Sequence, residues 1–305
     1  MQNPFIDAAS QQAVDKFSGI NNVDAATRLS PAVVNQAYVY PLQEATNVLI
    51  DNTFQISSRL GYESVLAGTD IHSLWSDGKA CFFCDDGTLK EMDTIYGLKT
   101  LKAGLMAGAR ISYAPCNDRY YFTNKYDIGY IKDNASYELS DPSREFKMPL
   151  PAGQLIEYFL GVLYVARDNI LYIADPLCDY YDTRTGYRIF NKDITMLRAV
   201  DGGLYVSDDR VWFVKGRANE DFERDEVYSS PAIIHTDVSV SGKFIDDTMV
   251  GKVAIWTGEN GICLGDANGT VLNLTDFRFT FAARGQGTGF IREVDNIRHY
   301  INTLY

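Results

Sequence analysis

What most restricts the fold of this chain is a unit that recurs along it. Five segments share one design: an apolar strand, a polar turn, a strand apolar throughout, another turn, and a third strand. They are IHSLWSDGKACFFCDDGTLKEMD from Ile71, ISYAPCNDRYYFTNKYDIGYIKD from Ile111 and IEYFLGVLYVARDNILYIADP from Ile156, then LRAVDGGLYVSDDRVWFVKG from Leu197 and VAIWTGENGICLGDANGTVLNLT from Val253. Their starts lie 40, 45, 41 and 56 residues apart. A spacing near forty with about four strands per unit is the period of propeller blades.

The middle strand of each unit narrows the choice. Ala80, Phe82 and Cys84 fall on one face of their strand, Cys81 and Phe83 on the other; Leu163–Ala166 and Ile262–Leu264 follow the same rule. A strand apolar on both faces must be covered on both. Blades stacked around a ring supply two covers per sheet, whereas a sandwich supplies one. The expected fold is therefore all-β: a β-propeller of antiparallel four-stranded blades, five in number, with six as the alternative. The long last interval leaves room for a degenerate unit around Ile233–Val240. Closing the ring needs a partner for the first edge. Asn47–Asp51 with Phe54–Ser57 is a candidate strand pair for that role, joining the late run Asp276–Phe281, in which three Phe alternate.

Residues 1–37 read differently, as an extended N-terminal arm with a candidate short helix opened by Asp7 and a polar stretch ending at Ser30-Pro31; residues 38–305 form the propeller domain. Tyr (20) and Phe (16) raise the aromatic content to 13%, a bias toward strands. The net charge of −12 argues against tight binding of nucleic acid or anionic lipid. No apolar run is long enough for a helical membrane span. The N-terminus lacks the basic and apolar regions of a secretion signal. An odd set of five cysteines without regular spacing fits a reducing, cytoplasmic setting, in which the Asn134, Asn268 and Asn273 sequons carry no glycosylation meaning.

None of the chemical motifs survives comparison with its plain reading. Cys81 and Cys84 form a CxxC, but inside a strand their side chains point to opposite faces and no second Cys or His pair completes a metal knuckle. His72, His235 and His299 are scattered. Gly285–Gly289 lacks the Lys-Ser/Thr of a phosphate loop and reads as a flexible turn. There is no Gly-x-Ser-x-Gly elbow and no calcium-loop spacing. Ser76-Asp77-Gly78 echoes the turn of sugar-cleaving propellers without recurring. Glu220, Asp221, Glu223, Asp225 and Glu226 read as a solvated acidic loop. Asp179, Tyr180, Tyr181, Asp182 and Tyr187 gather tyrosine faces and carboxylates in the way that carbohydrate recognition requires; the plain alternative is a blade-edge hairpin. They stand as candidate ligand or partner contacts. No catalytic, cofactor-binding or metal residue is assigned, and the expectation is that the chain is not an enzyme.

Longer stretches carry a resemblance. GINNVDAATRL, then LQEATNVLIDNTFQISSRLGYESV with its Arg59, Gly61 and Tyr62 turn, resemble the opening of a family of tailed-phage virion structural proteins. IADPLCDYYDTRTGYRIF, AVDGGLYVSDDRVWFVKGRANEDFERDEVY and ICLGDANGTVLNLT continue the series, which runs from about Gly19 to the C-terminus. The resemblance implies a propeller component of a phage tail, head-to-tail connection or tail tip, assembled in the host cytoplasm and packed as a homo-oligomeric ring beside other tail or connector proteins. It implies action by contact, with DNA passing an acidic lining without specific binding. The competing expectation is a carbohydrate-binding or depolymerising module at the tail tip.

Overall fold

In the computed structural model, strands begin where the repeats place them. It describes residues 16–46, 48–50, 53–58, 61, 63–216, 222–246, 248–275, 278–280, 285–294 and 297–305. Among these, five four-stranded antiparallel sheets each run in simple sequence order. The first comprises Ile71–Ser76, Cys81–Asp85, Thr88–Met92 and Leu98–Lys102. The second comprises Ser112–Cys116, Arg119–Thr123, Ile128–Lys132 and Ala135–Tyr137. The third comprises Leu155–Phe159, Val162–Arg167, Ile170–Ile173 and Tyr187–Ile189. The fourth comprises Met196–Val200, Gly203–Ser207, Val211–Lys215 and Glu223–Tyr228. The fifth comprises Val238–Ser241, Lys252–Gly258, Gly261–Gly265 and Val271–Asn273. The protein is an all-β propeller.

First strands begin at 71, 112, 155, 196 and 238, so the period holds at 41–43 residues throughout. This corrects the last unit. Val253 lies in the second strand of the fifth sheet, and the segment around Ile233–Val240 is the approach and first strand of that same sheet. Val238–Ser241 is short and half polar, and an excursion with a 3-10 turn at Gly242–Phe244 separates it from its partner. The apolar signal therefore starts one strand late.

Neighbouring sheets share cores, as two-sided burial requires. Phe82, Cys84 and Leu89 of the first sheet pack with Tyr113, Phe122 and Ile131 of the second. Ala114 and Tyr121 meet Ile156, Leu163 and Val165 of the third. Leu155, Tyr164 and Leu171 meet Leu197, Leu204 and Val206 of the fourth, while Tyr205 and Phe213 meet Ala254, Trp256 and Cys263 of the fifth. Every residue of Gly203–Ser207 is buried. At about 1.5–3 kcal/mol for each large apolar side chain, these shared cores hold the sheets together.

The far face of the fifth sheet is covered by a hairpin, Gly287–Val294 with Ile297–Leu304, whose Ile291 and Tyr300 pack on Val253, Ile255 and Leu264. The glycine-rich segment thus opens a strand, where a flexible turn was expected. Its glycines serve close approach: the Gly287 and Gly289 N–H groups donate to the Ile234 and His235 carbonyls, and a Cβ on Gly289 would lie 2.0 Å from the Thr236 carbonyl oxygen.

The N-terminal segments form two further small sheets. Phe17–Ile20, Ala37–Leu42 and Ala32–Val34 form a three-stranded sheet. The helix opened by Asp7 lies outside the described residues. Val48–Ile50 pairs with Ile56–Ser58; among the described residues neither forms a ladder with the late run, of which Asp276, Phe277 and Phe281 lie outside. Asn22 does reach that run: its N–H donates to the Arg278 carbonyl, and its side chain exchanges hydrogen bonds with the backbone of Thr280. An asparagine side chain mimics a peptide edge, which lets a loop replace a strand.

Candidate functional site

Three places gather polar side chains among the described residues: a two-stranded sheet beside the third sheet, the ring axis, and a cavity on one face. The two-stranded sheet holds candidates read from the sequence. Tyr180–Asp182 pairs antiparallel with Lys147–Pro149, outside the third sheet. The contacts of its side chains divide the cluster. Tyr181 packs edge-on against Tyr172, with centroids 5.1 Å apart. Asp182 is buried; its Oδ1 accepts the Arg184 backbone N–H (2.9 Å) and Nε–H (3.0 Å), and its Oδ2 lies 2.8 Å from Arg184 Nη2 and 3.3 Å from Lys147 Nζ. The Arg184 guanidinium, above all, holds this carboxyl well below the usual carboxylate range. Both residues are thereby committed to contacts within the protein. Tyr180, whose hydroxyl accepts from Arg144 Nη1 at 3.2 Å, and the exposed Tyr187 remain toward solvent, and Asp179 lends its backbone carbonyl to Leu150. The CxxC sits within Cys81–Asp85, with Cys84 in the core and Cys81 half-buried.

At the axis, first strands are stitched together through side chains. Ser73 Oγ accepts the Ile111 N–H at 2.8 Å, and Ser112 Oγ accepts the Ile156 N–H at 3.1 Å. At the later positions the serines give way to charges. Arg198 of the fourth sheet reaches Glu157 of the third (Nη1 to Oε2, 3.2 Å) and Asp237 before the fifth (Nε to Oδ2, 2.8 Å). The guanidinium side chain is 22% exposed, against 10% and 1% for the carboxylates. Burial pushes the Glu157 carboxyl up. Beside this triad His235, at φ +65°, is driven down to about 4 by burial and then by the Arg110 and Arg198 charges. Arg110 itself anchors the terminal hairpin: its Nη1 donates to the Gly287 carbonyl, Thr288 Oγ1 and the Tyr305 hydroxyl, each at 2.6 Å. One guanidinium thus serves two carboxylates and ties the third and fourth sheets to the approach of the fifth.

The cavity, of about 580 Å³, opens on the face carrying the turns between second and third strands. Its lining includes Asn169, Asn191, Lys192, Asp193, Thr195, Asp208, Asp209 and Glu259 over Ala232, Ile233 and Ile234. Asp208 is held by the Trp212 indole N–H (2.8 Å) and the Asn191 backbone N–H (3.1 Å). Asp209 pairs with Arg210, leaving the exposed Asp193 and Glu259 at the surface. Acids at this face follow the repeat: Asp86, Asp127, Asp168 and Asp209 each belong to a turn between second and third strands, and Glu259 occupies the fifth such turn. That acidic series and the Glu157–Arg198–Asp237 triad escape motif reading. The acids carry a positional signal, one in the turn between second and third strands of each unit; the triad does not, since Asp237 precedes its strand while Glu157 and Arg198 lie third in theirs. Among the described residues, no group of three or more His, Cys, Asp and Glu side chains is arranged to hold a metal ion.

No protein-family model matches the chain, and no curated protein matches it in sequence. Solved structures do match. A virginiamycin B lyase from Staphylococcus aureus aligns over 97% of both chains at 12% identity and a TM-score of 0.45. A gluconolactonase from Xanthomonas campestris covers 67% of this chain and 75% of its own at 11% identity and 0.44. The WD40 β-propeller domain of Doa1 covers 67% of each at 14% identity and 0.42. These proteins differ widely in function, and at such identities the likeness is one of fold.

Proposed function

We propose that the chain is a non-enzymatic structural subunit of a tailed-phage virion, in the tail or head-to-tail region, that works by packing several propeller discs into a ring. The observation that carries the reading is the rim. Leu98, Tyr137, Ile189 and Leu272, one on the outermost strand of each of four sheets, are 45–60% exposed. Single exposed apolar residues are ordinary, but apolar side chains repeated around one rim suit burial against neighbours. The shared cores between sheets, the ion-paired axis and the ordered motif series from Gly19 onward support the same reading. In this scheme the turn-face acids line the passage and repel the DNA phosphates, and the N-terminal segments reach onto a neighbouring disc.

Native mass spectrometry of the purified protein tests the packing step. The reading expects closed multimers of the 34.2 kDa chain; monomer alone, both free and in material released from virions, removes it. A second reading, a carbohydrate-binding tail-tip module, is favoured by one observation, the amide- and carboxylate-lined cavity. Retention on a glycan array that is lost in Asn191→Ala would select it.

A further inference from the structure

Five sheets carry four strands, but the terminal hairpin carries two. Its Gly287 and Gly289 turn their N–H groups to the Ile234 and His235 carbonyls, away from Ile297–Leu304. Residues paired across an antiparallel ladder alternate between bonding each other and turning both backbone groups outward. Leu304 and Asn302, opposite those glycines, and Tyr300 and Arg298, in the same alternation, therefore present N–H and C=O on the hairpin's outer edge. Among the described residues no backbone group pairs with that edge. The two faces beside it are apolar: Ile291 and Tyr300 pack on the fifth sheet, while Phe290, 48% exposed, and Ile301 stand opposite each other on the other face. Val48–Ile50 and Ile56–Ser58 form the complement, a separate pair whose second strand is exposed throughout. Twelve residues (59–70) separate this pair from the first sheet, within the six (190–195) to seventeen (138–154) that join a fourth strand to the next first strand elsewhere. In chain order the pair thus stands where a third and fourth strand would. Within its own chain it is tied elsewhere, since the Phe17 N–H donates to the carbonyl of Phe54, in the turn between its strands.

We propose that the Val48–Ile50 and Ile56–Ser58 pair of one copy adds, through Val48–Ile50, to the Ile297–Leu304 edge of the next copy, so that two chains complete a sixth four-stranded sheet. This rests on the ring reading above and names the contact that joins its subunits. Backbone hydrogen bonds along the edge supply the attachment, as in strand addition generally. Val48 and Ile50 extend one apolar face of the hairpin and Leu49 the other. Two-stranded sheets are marginal alone, so both halves gain from the union. Residues 59–70 reach up to about 40 Å when extended, enough to cross a contact between adjoining rims. Each copy gives one pair and accepts one, a head-to-tail contact of the kind that closes rings.

The test is native mass spectrometry of the full chain and three variants. Asn302→Pro withdraws one N–H from the outer edge and leaves the ladder to Gly287–Val294 intact. Asn302→Ala loses the same side-chain hydrogen bond to Thr257 but keeps that N–H. Val48→Asp with Ile50→Asp spoils the donor pair. The expected result is closed multimers for the unaltered chain and for Asn302→Ala, and monomers for the other two. An equimolar mixture of those two should give pairs at twice the 34.2 kDa chain mass, because one can still give a strand and the other can still accept it. Amide exchange needs no substitution: within 297–304 of the unaltered chain it should slow on assembly. Multimers that persist in Asn302→Pro, a mixture without pairs, or unchanged exchange would each overturn the strand exchange while leaving the ring to the rim contacts. An unaltered chain that is monomeric, both free and released from virions, removes the ring reading and the exchange with it.

Discussion

Replacing Arg198 by methionine removes the cation that ties three sheets at the axis and keeps most of the side-chain volume. Glu157 and Asp237 are then left facing each other, with side chains 10% and 1% exposed. Breaking a buried pair by removing one partner costs about 3–5 kcal/mol, because the remaining charge stays desolvated. For a chain of 305 residues, an unfolding entropy of about 2.1 cal/mol/K per residue converts this to a fall of roughly 5–8 °C in unfolding temperature. The companion variant Arg198→Met with Glu157→Gln and Asp237→Asn removes the stranded charges and keeps hydrogen-bonding atoms in place. It is expected to recover most of the loss. Differential scanning calorimetry at neutral pH reads both. If the single substitution moves the transition by less than 2 °C, or the triple is no better than the single, the reasoning about the axial clasp is wrong.

His235 supplies a pH dependence. Its folded value near 4 lies below the ordinary 6.5, so the unfolded chain takes up the proton first. Stability is then complete above about pH 6.5 and falls as the pH drops toward 4, by about 2 kcal/mol at pH 5. Urea midpoints at pH 7 and pH 5 should show that loss, and His235→Asn, which tolerates the positive φ, should flatten it. Arg110→Met deletes three hydrogen bonds to the terminal hairpin and is expected to cost about 1.5–3 kcal/mol. Faster amide exchange should follow within 287–304 while the second to fourth sheets keep their protection; uniform loosening would contradict the assignment. Gly289→Ala places a methyl against the Thr236 carbonyl and should loosen the same hairpin, at a cost of about 1–3 kcal/mol in a melt.

How far the fold can be read from the chain depends on where its signals are local. Two-sided apolar strands such as Val162–Arg167 announce themselves within six residues, and four of the five sheets begin within one residue of the repeat start. Val238–Ser241 was hidden because Ser239 and Ser241 break the apolar run. The Gly287–Gly289 segment misleads for a different reason: Gly287 answers to the Thr236 methyl and Gly289 to the Thr236 carbonyl, 51 and 53 residues away in sequence, and nothing nearby records that. Asn22 closing onto Arg278 and Thr280 is equally nonlocal. Of the rim candidates, Asp182 and Tyr181 prove to be held by Arg184 and Tyr172, partners within ten residues. The axial triad is not legible in the chain: Glu157 and Arg198 each stand as a single charge in an otherwise ordinary strand, and Asp237 lies just before its own.

The central claim is that this propeller acts by contact, as one disc among several in a virion. A cryo-electron microscopy map of purified virions of any tailed phage found to carry this sequence tests that proposal most directly. The account predicts several symmetry-related copies in the tail or head-to-tail region, each with its five four-stranded sheets visible. Leu98, Tyr137, Ile189 and Leu272 should be covered by neighbouring subunits, and the face carrying Asp168, Asp209 and Glu259 should be turned to the passage. Virions that lack the chain, or that hold it as isolated copies with bare rims, would contradict the account.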